Sequence, residues 1–472
     1  MKHPNILLIT ADQLRINEIG FMSPGSAVAG KPNTPNLDTM AARGTSFGLC
    51  ITPSPVCTPA RTSLFSGQYP SRCMGPVINA PEPIAERVVF PDETLPELLS
   101  RHGYETTLVG KWHIHTRPQS VGFDECDFPN IFHLNRDQWF NFTDGSNRKI
   151  EGCAYEFELA EAERFLSRRH DRPFFLSHNI SLPHMPFFDV DEFYRYLYTP
   201  DEVADKLPGN AYPPEDAEFF ENWLKVYYYD AQYYKYRRPD CAELPSALAD
   251  GTPRQRLAAL YAMYRGMIAA CDAQVGRLIK MLHKYGHADE TVVIFTSDHG
   301  DNMGSHGIFN KDVSYDESTR VPLIIEFGNN VRPSGAVSYV SDVPVSLVDI
   351  MPTIADLIGA ESPQCDGTSL LPLICGDSIS RGNVFTETPL GEFAYRDARY
   401  LYSIKTDVHS REIKDDSFLF IDTKCDPLSL DNIAKRERTA EEEAVMARLR
   451  DITVAAHKAK HPGPRSPLNH MS

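Results

Sequence analysis

Short apolar runs alternate with longer stretches of helical periodicity along most of the chain. The runs Ile6–Ile9, Thr107–Val109, Phe174–Leu176, Val292–Phe295 and Leu323–Glu326 read as buried parallel strands. Helical patterns fall between them, at Thr94–Arg101, Ala154–Arg168 and Gln255–His283. In the last, Leu257, Leu260, Tyr261, Tyr264, Ile268, Val275, Leu278 and Leu282 recur at helix spacing. Strands alternating with helices predict an α/β unit, its mostly parallel sheet covered on both faces.

Two regions break this pattern. Residues 188–253 are rich in Tyr, Asp, Glu and Pro. Tyr227, Tyr228 and Tyr229 are consecutive, and Tyr233, Tyr234 and Tyr236 follow. This reads either as an insertion bordering a cleft or as plain aromatic packing of an irregular excursion. After Gly376 the character changes again. Tyr400–Lys405 and Phe418–Ile421 predict antiparallel strands, and Thr439 with Glu442 spells a capping box before a helix. The expected division is residues 1–375 and 376–472, with a loose tail beyond Pro462. No internal repeat is visible.

Composition narrows the function. The net charge is −17 over 472 residues, which argues against nucleic acid and against anionic membrane surfaces as partners. A small anionic substrate stays admissible, because a local cationic cluster can outweigh the global field. Ten cysteines with no C-x-x-C pair read as mostly free thiols. No apolar run is long enough to span a membrane, and the one at Ile6–Ile9 is too short for a signal-peptide core. A cytoplasmic protein is the expectation, with a homo-oligomer left open.

The informative feature is positional. Four apolar runs lead directly into residues able to do chemistry. Ile6–Thr10 leads to Asp12 and Gln13; Thr107–Val109 to Gly110-Lys111-Trp112-His113; Phe174–Leu176 to His178 and then His184; and Val292–Ser297 to Asp298-His299-Gly300. Ligands of open α/β sheets bind outside the carboxyl ends of the strands, so one sheet edge could gather these groups. Taken singly, Asp12 fits a helix cap, His184 a packed loop histidine and Asp298-His299-Gly300 a turn. The recurrence favours a site.

Cys57-Thr58-Pro59-Ala60-Arg61 adds a nucleophile. Cys57 is expected just before a helix start, at the edge of a surface cleft. There the helix dipole favours negative charge and Arg61 supports a thiolate. A protein-phosphatase loop has five residues between Cys and Arg, whereas here there are three.

Cys57-x-Pro59-x-Arg61, followed by a helix and Gly67, resembles the signature of the formylglycine-dependent sulfatases. Further segments resemble that family in the same order: Thr34-Pro35-Asn36-Leu37-Asp38, Gly110-Lys111-Trp112-His113, Pro183-His184-x-Pro186-Phe187, Ser297-Asp298-His299-Gly300, and Gly304-Ser305-His306-Gly307 with Lys311. Arg320-Val321-Pro322-Leu323-Ile324 and Asp426-Pro427 with Asn432 complete the set.

The resemblance implies an alkaline phosphatase-like fold, with a large α/β domain and a smaller C-terminal domain carrying an antiparallel sheet and a helix. It implies that a formylglycine-generating enzyme oxidises Cys57, and that the hydrated aldehyde attacks the sulfur of an organic sulfate ester. By position, Asp12, Gln13, Asp298, His299 and the modified Cys57 become metal ligands. Gln13 stands where many members carry a second Asp, as in the choline-sulfatase and phosphonate-hydrolase branches. Arg61 would hold the residue-57 hydroxyl, Lys111 and His184 the sulfate oxygens, and Lys311 the leaving-group oxygen. His113 would take the second hydroxyl's proton. Carboxylates and an amide oxygen suit Ca2+, while the imidazole keeps Mn2+ open. The alcohol could be an aryl, choline or sugar group, with His115 and Asn310 near its side. A phosphonate monoester hydrolase or phosphodiesterase is the alternative. An inactive anion-binding relative would have lost ligands, and none is lost here.

Overall fold

The computed structural model describes residues 3–23, 27, 33–74, 90–130, 133–229 and 243–460. Tyr233, Tyr234, Tyr236 and the tail after Pro462 lie outside the described residues.

The strands, in chain order, are β1 (Asn5–Asp12), β2 (Thr45–Phe47), β3 (Cys50–Ile51), β4 (Glu105–Gly110), β5 (Glu125–Pro129), β6 (Arg136–Asn141), β7 (Asn147–Cys153) and β8 (Phe174–Pro183). They continue with β9 (Thr291–Ser297), β10 (Arg320–Val321), β11 (Leu323–Phe327), β12 (Val340–Ser341), β13 (Val345–Ser346), β14 (Asn383–Glu387), β15 (Glu392–Asp397), β16 (Tyr400–Thr406) and β17 (Ile413–Asp422). A ten-stranded sheet has the order β12-β2-β11-β9-β1-β8-β4-β5-β6-β7. Its centre, β9-β1-β8-β4-β5, is parallel.

These central strands are buried on both faces, as near-continuous apolar runs require. On one face Leu7 and Ile9 pack with Leu159 and Leu166 of the Ala154–Leu166 helix and with the long Pro253–Lys284 helix. On the other, Ile6 and Leu8 pack with Leu64 and Phe65 of the Cys57–Ser66 helix and with Leu95, Leu99, Ile350 and Ile354. The capping box read at Thr439–Glu442 is present, and others start the helices after Thr94 and Thr252.

The Leu323–Glu326 expectation needs correction. β11 runs antiparallel to β9, with Ile324 opposite Phe295. An apolar run carries no direction. A parallel return needs a crossover, usually helical. The 298–322 connection stays instead at the carboxyl end of β9, with only the single turn Asp316–Thr319 as helix, and its strand must run back.

The C-terminal strands form a four-stranded antiparallel sheet, β14-β15-β16-β17, covered by the Ala440–Lys460 helix through Phe393, Tyr402, Phe420, Met446 and Leu449. It grips the main unit beside the strand ends. Glu387 accepts from Ser71, Glu392 from Ser314, and Arg396 pairs with Asp316. Among the described residues no helix is long and apolar enough to cross a membrane. The nine described cysteines are free thiols.

Gly110 closes β4 at φ 90°, and a Cβ there would stand 2.2 Å from the Asn179 carbonyl oxygen. Gly110→Ala should therefore cost more than about 2 kcal/mol, from strained backbone and forced displacement of β8. Chemical denaturation checks this, and an unchanged midpoint would contradict it.

Candidate active site

β9 and β1 end side by side and β4 ends just beyond β8, and each delivers a charged group at its carboxyl end. Asp12 closes β1, Lys111 follows β4, and Asp298 and His299 follow β9; all four are completely buried. Lys111 Nζ pairs with Asp12 Oδ2. Arg61 Nε donates to Asp298 Oδ2 at 2.8 Å, and its Nη1 to the Lys111 carbonyl at 3.1 Å. One guanidinium thus joins the nucleophile helix to two strand ends.

Cys57 is the first residue of its helix, not the residue before it, and is 3% exposed rather than placed at a cleft edge. Its Sγ lies 3.2 Å from His299 Nε2, 3.2 Å from Lys311 Nζ and 3.6 Å from Asp12 Oδ1. Burial raises the thiol's pKa, but Lys111, Lys311 and His299 outweigh it and hold the thiol well below its ordinary value. Thr58 Oγ1 donates to the His113 carbonyl at 2.8 Å, tying the helix to the segment after β4.

Lys311 reaches Gln13 Oε1 at 3.0 Å, His299 Nε2 at 3.1 Å and His184 Nε2 at 3.3 Å. Burial drives the His113 pKa down to about 3, with the Lys111 charge adding to it and Cys57 opposing. Burial likewise takes His184 down to about 4. Both rings are neutral near pH 7. His184 Nδ1 faces the Met185 carbonyl at 2.5 Å; that partner assigns its proton to Nδ1 and leaves Nε2 as the acceptor for Lys311. Gln13, His113, Asn310 and Asp312 take left-handed backbone at φ 67°, 52°, 63° and 86°, a concentration of strain of the kind functional sites hold.

The donor set fits a divalent cation. With Lys111 and Arg61 on the outer carboxylate oxygens, Asp12 Oδ1 and Asp298 Oδ1 stand 3.5 and 3.6 Å from His299 Nε2. The His299 ring is held through Nδ1 at 2.9 Å from the Gly300 carbonyl. Burial opposes its charged form, but Asp298 raises its pKa, so in the metal-free site Nε2 is drawn toward protonation, and a bound cation would take that proton's place between the carboxylates. Ligand atoms of Asp12, Cys57, Asp298 and His299 all lie within 4.8 Å of one another.

The predicted catalytic and metal-ligating residues are therefore brought together: Asp12, Gln13, Cys57, Arg61, Lys111, His113, His184, Asp298, His299 and Lys311. His178 is buried, and neither of its ring nitrogens has a hydrogen-bond partner among the described residues. The sequence reading missed His133, which precedes β6 and stacks on His184 at 3.8 Å between ring centroids. One of its ring nitrogens lies within 4.8 Å of ligand atoms of Asp12, Cys57 and His184. It follows no apolar run, so strand-end placement gave no signal for it. Asp301 was also missed, although it lies two residues beyond His299.

The sulfatase family model matches residues 4–360, and a model for the C-terminal region of N-sulphoglucosamine sulphohydrolase matches residues 304–455. The chain belongs to the sulfatase family, an enzyme class of sulfuric ester hydrolases. It is 28% identical to a choline-sulfatase of Rhizobium meliloti over 96% of this chain and 86% of that protein. It is also 28% identical to an ulvan-active sulfatase of Formosa agariphila, over 79% of this chain and 65% of that longer protein. Among solved structures, BT4656 in complex with D-glucosamine-2-N,6-O-disulfate superposes with a TM-score of 0.73 at 22% identity, over 98% of this chain and 100% of that one.

The Arg61–Asp298 pair is buried on both sides. Arg61→Ala should leave Asp298 uncompensated and cost about 3–5 kcal/mol in chelator-treated protein, measured by urea denaturation. A loss below about 1 kcal/mol would show that Asp298 does not depend on that charge.

Proposed function

We propose that the protein hydrolyses a small organic sulfate monoester to an alcohol and sulfate, with residue 57 acting as formylglycine. The observation that carries the reading is the convergence on Cys57 Sγ of Asp12, His299 and Lys311, backed by the Lys111–Asp12 and Arg61–Asp298 pairs. In this reading residues 1–375 form the catalytic unit and residues 376–472 a smaller accessory unit.

Once a formylglycine-generating enzyme has oxidised it, residue 57 would supply a hydrated aldehyde as the oxygen nucleophile. Asp12, Gln13, Asp298 and His299, with residue 57, would hold one divalent ion, Ca2+ first and Mn2+ second; bound there, it would acidify that nucleophile and draw charge from the sulfuryl oxygens. Arg61 Nη2 is buried and makes no hydrogen bond among the described residues, which suits it to orient an oxygen on residue 57. Lys111 and Lys311 place cationic charge around the transferring group, where sulfate-ester cleavage builds negative charge. Lys311 would meet the leaving-group oxygen. His113, neutral and within hydrogen-bonding reach of Cys57, is suited to accept a proton from residue 57. His184 stays neutral, and by accepting from Lys311 Nζ at 3.3 Å through Nε2 it would hold that ammonium toward the sulfuryl oxygens.

The proposed substrate is an aryl, choline or sugar sulfate, a range supported by relatives named as an arylsulfatase, a choline-sulfatase and an N-acetylglucosamine-6-O-sulfatase. A panel of these esters, run beside phosphonate monoester and phosphodiester controls, tests the reading. Preferred turnover of a phosphonate would overturn it.

Two outcomes are expected of variants. Cys57→Ala should lower turnover at least about a thousandfold, while the active protein should carry a residue-57 peptide about 18 Da lighter than the cysteine form. Near-normal hydrolysis by this variant would remove the nucleophile assignment. Asp12→Ala and Asp298→Ala should each lose about tenfold or more in metal content after dialysis, together with activity. Full occupancy and full activity in either would contradict the ligand set.

A further inference from the structure

Asp301 has no role in the reading above, yet its carboxylate is completely buried directly behind Gln13. Three donors converge on it. Gln13 Nε2 donates to Oδ2, while the Tyr227 hydroxyl and the Met303 N–H donate to Oδ1 at 2.6 and 2.8 Å. The Tyr227 oxygen in turn accepts the Asn310 N–H at 2.7 Å, so its single proton is committed to Asp301.

Both oxygens of the Asp301 carboxylate receive hydrogen bonds from donors, and this decides which way the Gln13 amide faces. Nε2 must turn to Asp301, and Asn310 Oδ1 at 3.4 Å is a second acceptor on that side. Oε1 is left on the opposite side, where it accepts from Lys311 Nζ at 3.0 Å. The two ends of an amide are nearly equal in size, so packing alone would not choose between them. The choice matters chemically: one end offers a hard oxygen to a cation, the other an NH2 group that repels it.

We propose that Asp301 is a positioning residue for the metal ion, holding the Gln13 amide with Oε1 toward the ion, and that Tyr227 of the aromatic insertion holds Asp301 in turn. This rests on the reading of Gln13 as a ligand. It gives residues 188–253 a part in the site through Tyr227, and it places a carboxylate one hydrogen bond behind a neutral ligand.

The test uses the full chain stripped of metal with chelator, titrated calorimetrically with Ca2+ alone, and melted without metal. Asp301→Asn offers Gln13 an NH2 group as well as an oxygen, so the Gln13 amide is free to turn. Its Ca2+ dissociation constant should rise about 10- to 100-fold. Adding Gln13→Glu in that background exchanges the two groups: the carboxylate at 13 accepts from the amide at 301 and still presents an oxygen to the ion. Affinity should return to within about threefold of the unsubstituted chain, a coupling that a double-mutant cycle reads directly. Normal Ca2+ affinity in Asp301→Asn overturns the inference, and so does a double variant that binds as weakly as the single one, since a purely structural Asp301 would lower metal-free melting without rescue from position 13. If Asp301→Asn does not fold, Tyr227→Phe should still weaken Ca2+ binding about threefold or more, and unchanged affinity there overturns it. Gln13→Ala separates the two levels. Weak binding in it beside normal Asp301→Asn sinks only this inference, whereas normal binding in it removes Gln13 as a ligand and the inference with it.

Discussion

The site depends on two carboxylates kept away from water. Asp12 and Asp298 are completely buried, and an isolated buried carboxylate costs several kcal/mol. Each is matched by a buried cation from another part of the chain: Lys111 for Asp12, and Arg61 for Asp298. Lys111 lies after β4, two strands from β1, and Arg61 lies on the helix that begins with Cys57. Both pairs exist only when sheet order and helix placement are correct. The thiol is placed by the same arrangement, because Arg61 and Cys57 share one turn of one helix.

Much of this was legible in the sequence because the chemistry sits where strands end. Asp12, Lys111 and Asp298 each follow an apolar run, and a parallel sheet must bring such positions to one edge. The Cys57-x-Pro59-x-Arg61 spacing marked Cys57 as the proposed nucleophile through its resemblance to the sulfatase signature. Strand direction was not legible: Leu323–Phe327 looks like its parallel neighbours, yet it returns antiparallel because its connection spends its length at the site. His133 was not legible either. It is brought in by the chain between β5 and β6, and its stacking on His184 is a tertiary contact with no local pattern.

The aromatic region shows how far local reading reaches. Consecutive tyrosines at 227–229 suggested both packing and a cleft border, and the structure gives them different work. Tyr228 and Tyr229 pack beside Phe188, while Tyr227 is completely buried with its hydroxyl on Asp301. Only the phase of the Ala217–Tyr229 helix separates them: Phe220, Leu224 and Tyr227 fall on its buried face. A run of identical residues carries no phase of its own, so that division becomes visible only with the helix boundaries in hand.

Charge placement links the metal and the substrate. The chain carries −17 overall, yet an anionic ester must approach a centre that already holds Asp12 and Asp298. A third carboxylate in contact with the ion would strengthen cation binding and also repel the ester at short range. With Gln13 as the proposed ligand and the Asp301 carboxylate one hydrogen bond behind, a bound ion would still feel that carboxylate through a buried, low-dielectric path. An ester held beside Lys311 would meet an amide oxygen and an ammonium instead. Coulomb energy falls with distance, so setting the carboxylate back weakens its repulsion of the substrate while it continues to attract a doubly charged ion. The same reasoning suits the neutral histidines. His113 and His184 add hydrogen-bonding capacity around Cys57 without adding charge, and the cationic field on a singly charged ester is left to Lys111, Lys311 and Arg61.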